Sequence, residues 1–147
     1  GLSAEQKTAL KDSWKILAAN GETMVKNSAA MFGLLFEKYP DTKKHFKTFD
    51  GDHFAAMKAT GMGKAHGMSV FSGLGALVSS VDDGECVLGL AKKLSRNHTA
   101  RGVTANDFKL MRSIFGEFLD KATGGKATES MKSAWDALLG VLIENHQ

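Results

Sequence analysis

An all-α fold is predicted by three features of this sequence. It holds one proline in 147 residues, so little interrupts a helical backbone. Its apolar residues recur at steps of three and four over long stretches, the period of helices that bury one face. Sustained alternation of apolar and polar residues, which half-buried strands require, does not occur.

The elements follow in order. Ser3 with Gln6 three residues on has the spacing of a capping box, and Leu10, Trp14 and Leu17 line one face until Asn20-Gly21 breaks the helix. A second helix carries Val25, Ala29, Phe32 and Phe36 and is expected to stop at Tyr39-Pro40, because the residue before proline is pushed out of the helical region. The segment "PDTKKHFKTFDGD" reads as a crowded link with Phe46 and Phe49 inside polar sequence, and "HFAAMK" as a small helix after it. From about Ala59 to Ser80 a long helix presents His66, Val70, Leu74, Leu77 and Val81 on one stripe. "VDDG" turns the chain into a helix whose inward face reads Val87, Leu90, Leu94 and His98, closed by Gly102. Thr104 and Asp107, again at capping spacing, restart it, with Phe108, Met111, Phe115, Phe118 and Ala122 on one face. "TGGKAT" breaks that helix, and a last one from about Thr128 carries Met131, Trp135, Leu138 and Leu142. Seven or eight helices result, without a repeat of fixed period. The length suits one domain spanning residues 1–147, able to bury roughly 68–70% of its unfolded surface.

Composition removes several classes of function. A chain 43% hydrophobic and 24% charged is neither disordered nor membrane-embedded. No apolar run reaches the roughly 18 residues a spanning helix needs, and "GLSAEQKTAL" has the order of neither a signal peptide nor a myristoylation signal, so a cytoplasmic protein is expected. The lone Cys86 forms no internal disulfide and is expected to be a small structural residue, with a redox or intermolecular role as the alternative. The net charge of +3 comes from lysines scattered among acids, which reads as a solvated surface and not as a nucleic-acid interface. HExxH, CxxC and GxSxG motifs are absent, "MGKAHG" lacks the partners of a phosphate loop, and "GLGALV" lies mid-helix in a chain without strands. No carboxylate stands beside a candidate nucleophile, so hydrolysis has no visible machinery and no catalytic residue is assigned.

Histidine placement is the informative feature. His45 and His53, in or near the polar link, and His146 in the tail are expected to face solvent. His66 and His98 each lie on the apolar stripe of their own helix, and two consecutive helices joined by a short turn can face them across one pocket. An imidazole among apolar side chains needs a partner, since an unpaired buried polar group costs about 1–3 kcal/mol. A metal supplies one. Two histidines without a carboxylate or thiolate make a poor site for zinc or non-haem iron, whereas a cofactor with its own four equatorial nitrogens needs only an axial imidazole and an apolar slot. Haem is that cofactor. Phe32, Phe46, Phe49, Val70, Leu94, Val103 and Phe108 are candidates for the slot, and Lys93 and Arg101 flank His98 where porphyrin carboxylates emerge.

These residues resemble the globins: Ser13-Trp14, "LFEKYP" ending in Pro40, Phe46 six residues later, His66 with Val70 four residues on, "NHTARG" around His98, and Ala134-Trp135. The likeness runs from Leu2 to the last helix, and "LKDSWK", "LVSSVDD" and "NHTARGVTANDF" look like the intracellular haemoglobins and myoglobins of molluscs and related invertebrates. The resemblance implies haem b (iron protoporphyrin IX), with His98 as the proximal iron ligand and His66 as the distal histidine toward bound oxygen. It implies Phe46 wedged against the haem, Val70 above the iron, Phe32 as a distal wall, and Lys93, Asn97 and Arg101 near the propionates. Where dimeric clam haemoglobins carry phenylalanine four residues before the proximal histidine, this chain has Leu94. Their ligand-linked dimer switch is therefore not expected, and monomer and homodimer both stay open. The implied function is reversible binding of oxygen and other diatomic ligands, for storage or transport and without enzymatic turnover. The alternatives are haem-dependent chemistry on nitric oxide, nitrite or peroxide, ligand sensing, and a haem-free helical interaction module.

Overall fold

The computed structural model describes residues 1–46 and 59–146, with the backbone alone at Phe46. Phe49, His53 and the short "HFAAMK" helix lie outside the described residues. The rest is all-α as expected: α1 (Ala4–Leu17), α2 (Gly21–Lys38), a 3-10 helix (Pro40–Phe46), α3 (Gly61–Ser79), α4 (Gly84–Thr99), α5 (Ala105–Ala122) and α6 (Glu129–Glu144). Each α-helix starts where a short polar side chain replaces a missing backbone partner. Ser3, Asn20, Thr60, Asp83, Thr104 and Thr128 each accept a hydrogen bond from the backbone N–H three residues on. Such caps contribute about 0.5–2 kcal/mol each. The capping boxes expected at Ser3/Gln6 and Thr104/Asp107 are both closed.

The core forms where α6 packs on α1 and α5, and α2 packs on α3 and α5. Trp135 is fully buried, with Phe115 at 4.8 Å and Trp14 at 5.9 Å between ring centroids. Its indole N–H donates to Ser13 Oγ at 2.8 Å, and Ser13 passes its own hydroxyl proton to the Leu10 carbonyl at 2.9 Å. A buried donor is thereby satisfied inside an apolar cluster.

Helix α2 crosses α3 closely because Gly67 has no side chain. A Cβ there would stand 2.2 Å from Ser28 Oγ and 3.1 Å from Ser28 Cβ. Neighbouring residues at the same crossing, Phe32 and His66, bring their rings to a centroid separation of 5.6 Å.

Two expectations are corrected here. Cys86 is exposed, because α4 turns Val87, Ala91 and Ser95 inward and leaves Cys86 on the opposite side. His45, expected to face solvent, is nearly buried: its Nε2 lies 3.1 Å from Asp107 Oδ2, with the two side chains 10% and 17% exposed. The Asp107 carboxylate accepts from the Thr104 N–H at 2.8 Å and the Thr104 hydroxyl at 3.1 Å, and the imidazole stands beside it at ion-pair distance. Burial pushes the Asp107 carboxyl up, but the Thr104 bonds and His45 outweigh it and hold it below the ordinary carboxylate value. The pair fastens the 3-10 helix, and with it Phe46, to the start of α5.

Two outcomes follow from this packing. Gly67→Ala should lower stability by about 1–3 kcal/mol in urea unfolding despite the better helix propensity of alanine, and adding Ser28→Gly should recover part of the loss. An unchanged midpoint for the single variant would mean that the helices do not need the gap. Because Asp107 titrates lower folded than unfolded, its contribution is present above the ordinary carboxylate range and is lost as pH falls through the folded value. Asp107→Asn should therefore flatten the decline of stability on acidification, read as urea midpoints between about pH 7 and pH 3.

Candidate functional site

Helix α4 presents two stripes. Val87, Ala91 and Ser95 are buried; of the expected inward face Val87 is therefore buried, while Leu90, Leu94 and His98 are half-buried one step round the helix. On this second stripe His98 Nδ1 lies 2.7 Å from the Leu94 carbonyl oxygen. A carbonyl only accepts, so Nδ1 carries the proton. In the neutral ring Nε2 then keeps its lone pair. Past His98 the chain leaves the helix in a tight turn, in which the Arg101 and Val103 amides both donate to the His98 carbonyl, at 2.9 and 3.0 Å. Gly102 takes φ +79°, a left-handed conformation that glycine adopts without strain. The helix end expected at Gly102 thus holds His98 in the last turn.

His66 comes from α3, with Val70 one turn further on; both are half-buried, and the Nε2 atom of His66 is fully enclosed. Burial is the main cause that holds the His66 imidazole below its ordinary value, followed by the positive charge of Arg101 and then by His98. His98 is also held low, by burial first; its bond to the Leu94 carbonyl works the other way, and Arg101 and His146 add to the lowering. The two rings expected to share a pocket lie within electrostatic reach, since the charge of His98 acts on His66, and burial disfavours the charged form of both. Helices α3 and α4 meet beside them, where Leu94 Cδ2 lies 3.7 Å from the position a Cβ on Gly73 would take.

The other candidates divide by location. Phe32 is buried against His66, and Phe108 stands edge-on to His98 with ring centroids 5.1 Å apart. Val103 is half-buried in the turn after His98. Lys93, Asn97 and Arg101 are exposed around the end of α4, and the charge of Arg101 reaches both histidines. Phe46 ends the 3-10 helix.

One participant was not anticipated. His146, expected to face solvent, packs against Phe108 with ring centroids 5.2 Å apart and reaches two hydroxyls of α4, Ser95 and Thr99. Its position directly after a helix that packs on α4 was the available signal, but periodicity does not register a polar residue beyond a helix end.

The donor set can be tested against haem. Among the described residues no group of three or more His, Cys, Asp or Glu side chains is placed to hold a metal ion. What the site offers is one imidazole with a preset lone pair, a second imidazole within its electrostatic reach, phenyl and aliphatic neighbours, and a guanidinium at the rim. These residues fit a flat cofactor that brings its own equatorial ligands and carboxylates.

Comparison with known proteins agrees with this architecture. The family described as Globin matches residues 29–145. The chain is 67% identical over 145 residues to a globin of Buccinum undatum, covering 99% of each. It is 63% identical over 146 residues to a globin of Busycotypus canaliculatus, again covering 99% of each. In fold it is similar to the crystal structure of ferric myoglobin from Aplysia limacina, with a TM-score of 0.82 at 24% identity, covering 99% of this chain and 96% of that one. The family match and the two close relatives establish that this chain belongs to the globin family.

Proposed function

We propose that this chain binds haem b and, through it, takes up oxygen and other diatomic ligands reversibly, as a storage or transport protein and not as an enzyme. The observation that carries the reading is a half-buried imidazole whose tautomer is set by the Leu94 carbonyl, within electrostatic reach of a second half-buried imidazole that packs on Phe32. When bound, haem would supply an iron able to take up and release a diatomic ligand.

The protein's own residues do the rest. His98 would hold the iron through Nε2, because Nδ1–H is committed to Leu94. Phe32 and Val70, on the His66 side, keep that side apolar and exclude water that would promote oxidation. His66, held neutral, carries a ring N–H that it can present to a ligand bearing partial negative charge. A hydrogen bond to a charged group contributes about 1.5–3 kcal/mol, roughly ten- to a hundredfold in affinity over a ligand that polarises less. Arg101, with Lys93 and Asn97, is assigned to the cofactor's carboxylates, and Phe46 and Phe49 to its edge. Val103 and Phe108 wall the His98 side, with Leu94 beneath the ring. Among the described residues no helix is long and apolar enough to cross a membrane.

His66→Val should speed oxygen dissociation from the reduced protein about ten- to a hundredfold and hasten conversion to the ferric form. Stopped-flow mixing reads the first and the visible spectrum the second; an unchanged off-rate removes His66 from the account. His98→Ala should lose tight hemin binding and regain it on addition of free imidazole, followed in the Soret region, and retention at wild-type affinity without imidazole would overturn the ligation.

A further inference from the structure

The geometry points to His146 as a positioning residue for His98: it straddles the helical turn that carries His98 and backs the phenyl ring that walls the His98 imidazole. The inference rests on the reading of His98 as the haem ligand. Among the described residues the substantial contacts of α4 are with α3 and α6, so the last turn of α4 depends on what meets it from α6. His146 stands one residue past Asn145, the cap of α6, and its amide donates to the Ile143 carbonyl at 3.3 Å. From there its ring reaches back to α4, with Nδ1 3.3 Å from Ser95 Oγ and Nε2 3.4 Å from Thr99 Oγ1.

Ser95 precedes His98 by nearly one turn and Thr99 follows it directly. A ring tied to both spans the turn between them. Hydroxyls both donate and accept, so one can receive the ring N–H while the other gives its proton to the bare nitrogen, and either tautomer is accommodated. The same ring meets Phe108 at an interplanar angle of 62°, and Phe108 meets His98 at 60°. Phe108 is thus held between two imidazoles in edge-to-face contacts, a favoured aromatic geometry. The Leu94 carbonyl restrains the His98 ring through Nδ1, and Phe108 restrains it on another side. His146 supports both restraints, one through α4 and one through Phe108. Partners of this outer kind orient a metal-bound histidine without touching the metal.

The test uses the haem-loaded full chain with three variants: His146→Phe, which keeps an aromatic ring without polar atoms; Ser95→Ala with Thr99→Val, which removes the anchors and leaves His146; and His146→Gln. Two quantities are measured. One is the iron–imidazole stretching band of the reduced, ligand-free protein by resonance Raman; the other is the rate of hemin transfer to an excess of a tight-binding apoprotein. The expected result is a shifted or broadened band and roughly three- to tenfold faster hemin loss in the first two variants, with partial return in His146→Gln. Should His146→Phe fail to fold, the Ser95/Thr99 variant carries the same expectation. Unchanged band and unchanged release overturn the inference, and so does faster release with an unchanged band, which would make His146 a structural support only. A wild-type protein that binds hemin without any iron–imidazole band would instead overturn His98 ligation itself.

Discussion

The 2.7 Å hydrogen bond from His98 Nδ1 to the Leu94 carbonyl is the interaction on which the rest of the site depends. It is a bond between a side chain and the carbonyl four residues earlier on the same helix, so it exists only while the last turn of α4 is helical. The carbonyl can serve both the helix and the imidazole because it has two lone pairs. Fraying of that turn would release the ring, and with it the choice of which nitrogen is bare. Stability of the end of α4 and chemistry of His98 are therefore one property. The features around it serve that property: the turn amides that bond the His98 carbonyl, Gly102 in its left-handed conformation, and the buried stripe of Val87, Ala91 and Ser95.

The facing wall is built on a different principle. There the placement of His66 follows from how closely two backbones approach, which the missing side chain of Gly67 permits against Ser28. A polar ring enclosed in this way is held neutral by desolvation before any neighbouring charge acts on it. Arg101 strengthens the same tendency in both rings from the exposed rim. Burial thus works on both bases toward the uncharged form, and an uncharged imidazole is the form able to give a metal its lone pair.

Helices, their starts and most of the core were legible in the sequence because each depends on residues three or four apart. Ser3 with Gln6, Thr104 with Asp107, and Tyr39-Pro40 act through local geometry and were read correctly. What escaped depends on partners distant in sequence. Asp107 is legible as half of a capping box, but nothing local says that His45 from another helix stands beside it. Apolar periodicity picked out Leu90, Leu94 and His98; it passed over Ala91 and Ser95, small residues that are the buried ones. His146 lies beyond any periodic stripe, and only the packing of α6 on α4 reveals it. Cys86 failed for the same reason as Ser95, since one step round a helix separates exposure from burial.

Leu94 shows how a single position divides between backbone and side chain. Its carbonyl holds His98, a task any residue's backbone performs as long as the helix persists. Its side chain meets α3 where Gly73 leaves room, with Cδ2 3.7 Å from the place a Cβ would occupy. A phenyl ring at this position, as in the clam proteins that the sequence partly resembles, would have to press on α3 or swing toward the pocket. Leucine fills the junction without either movement. Position 94 in this chain therefore joins two helices through its side chain and supports the histidine above it through its carbonyl.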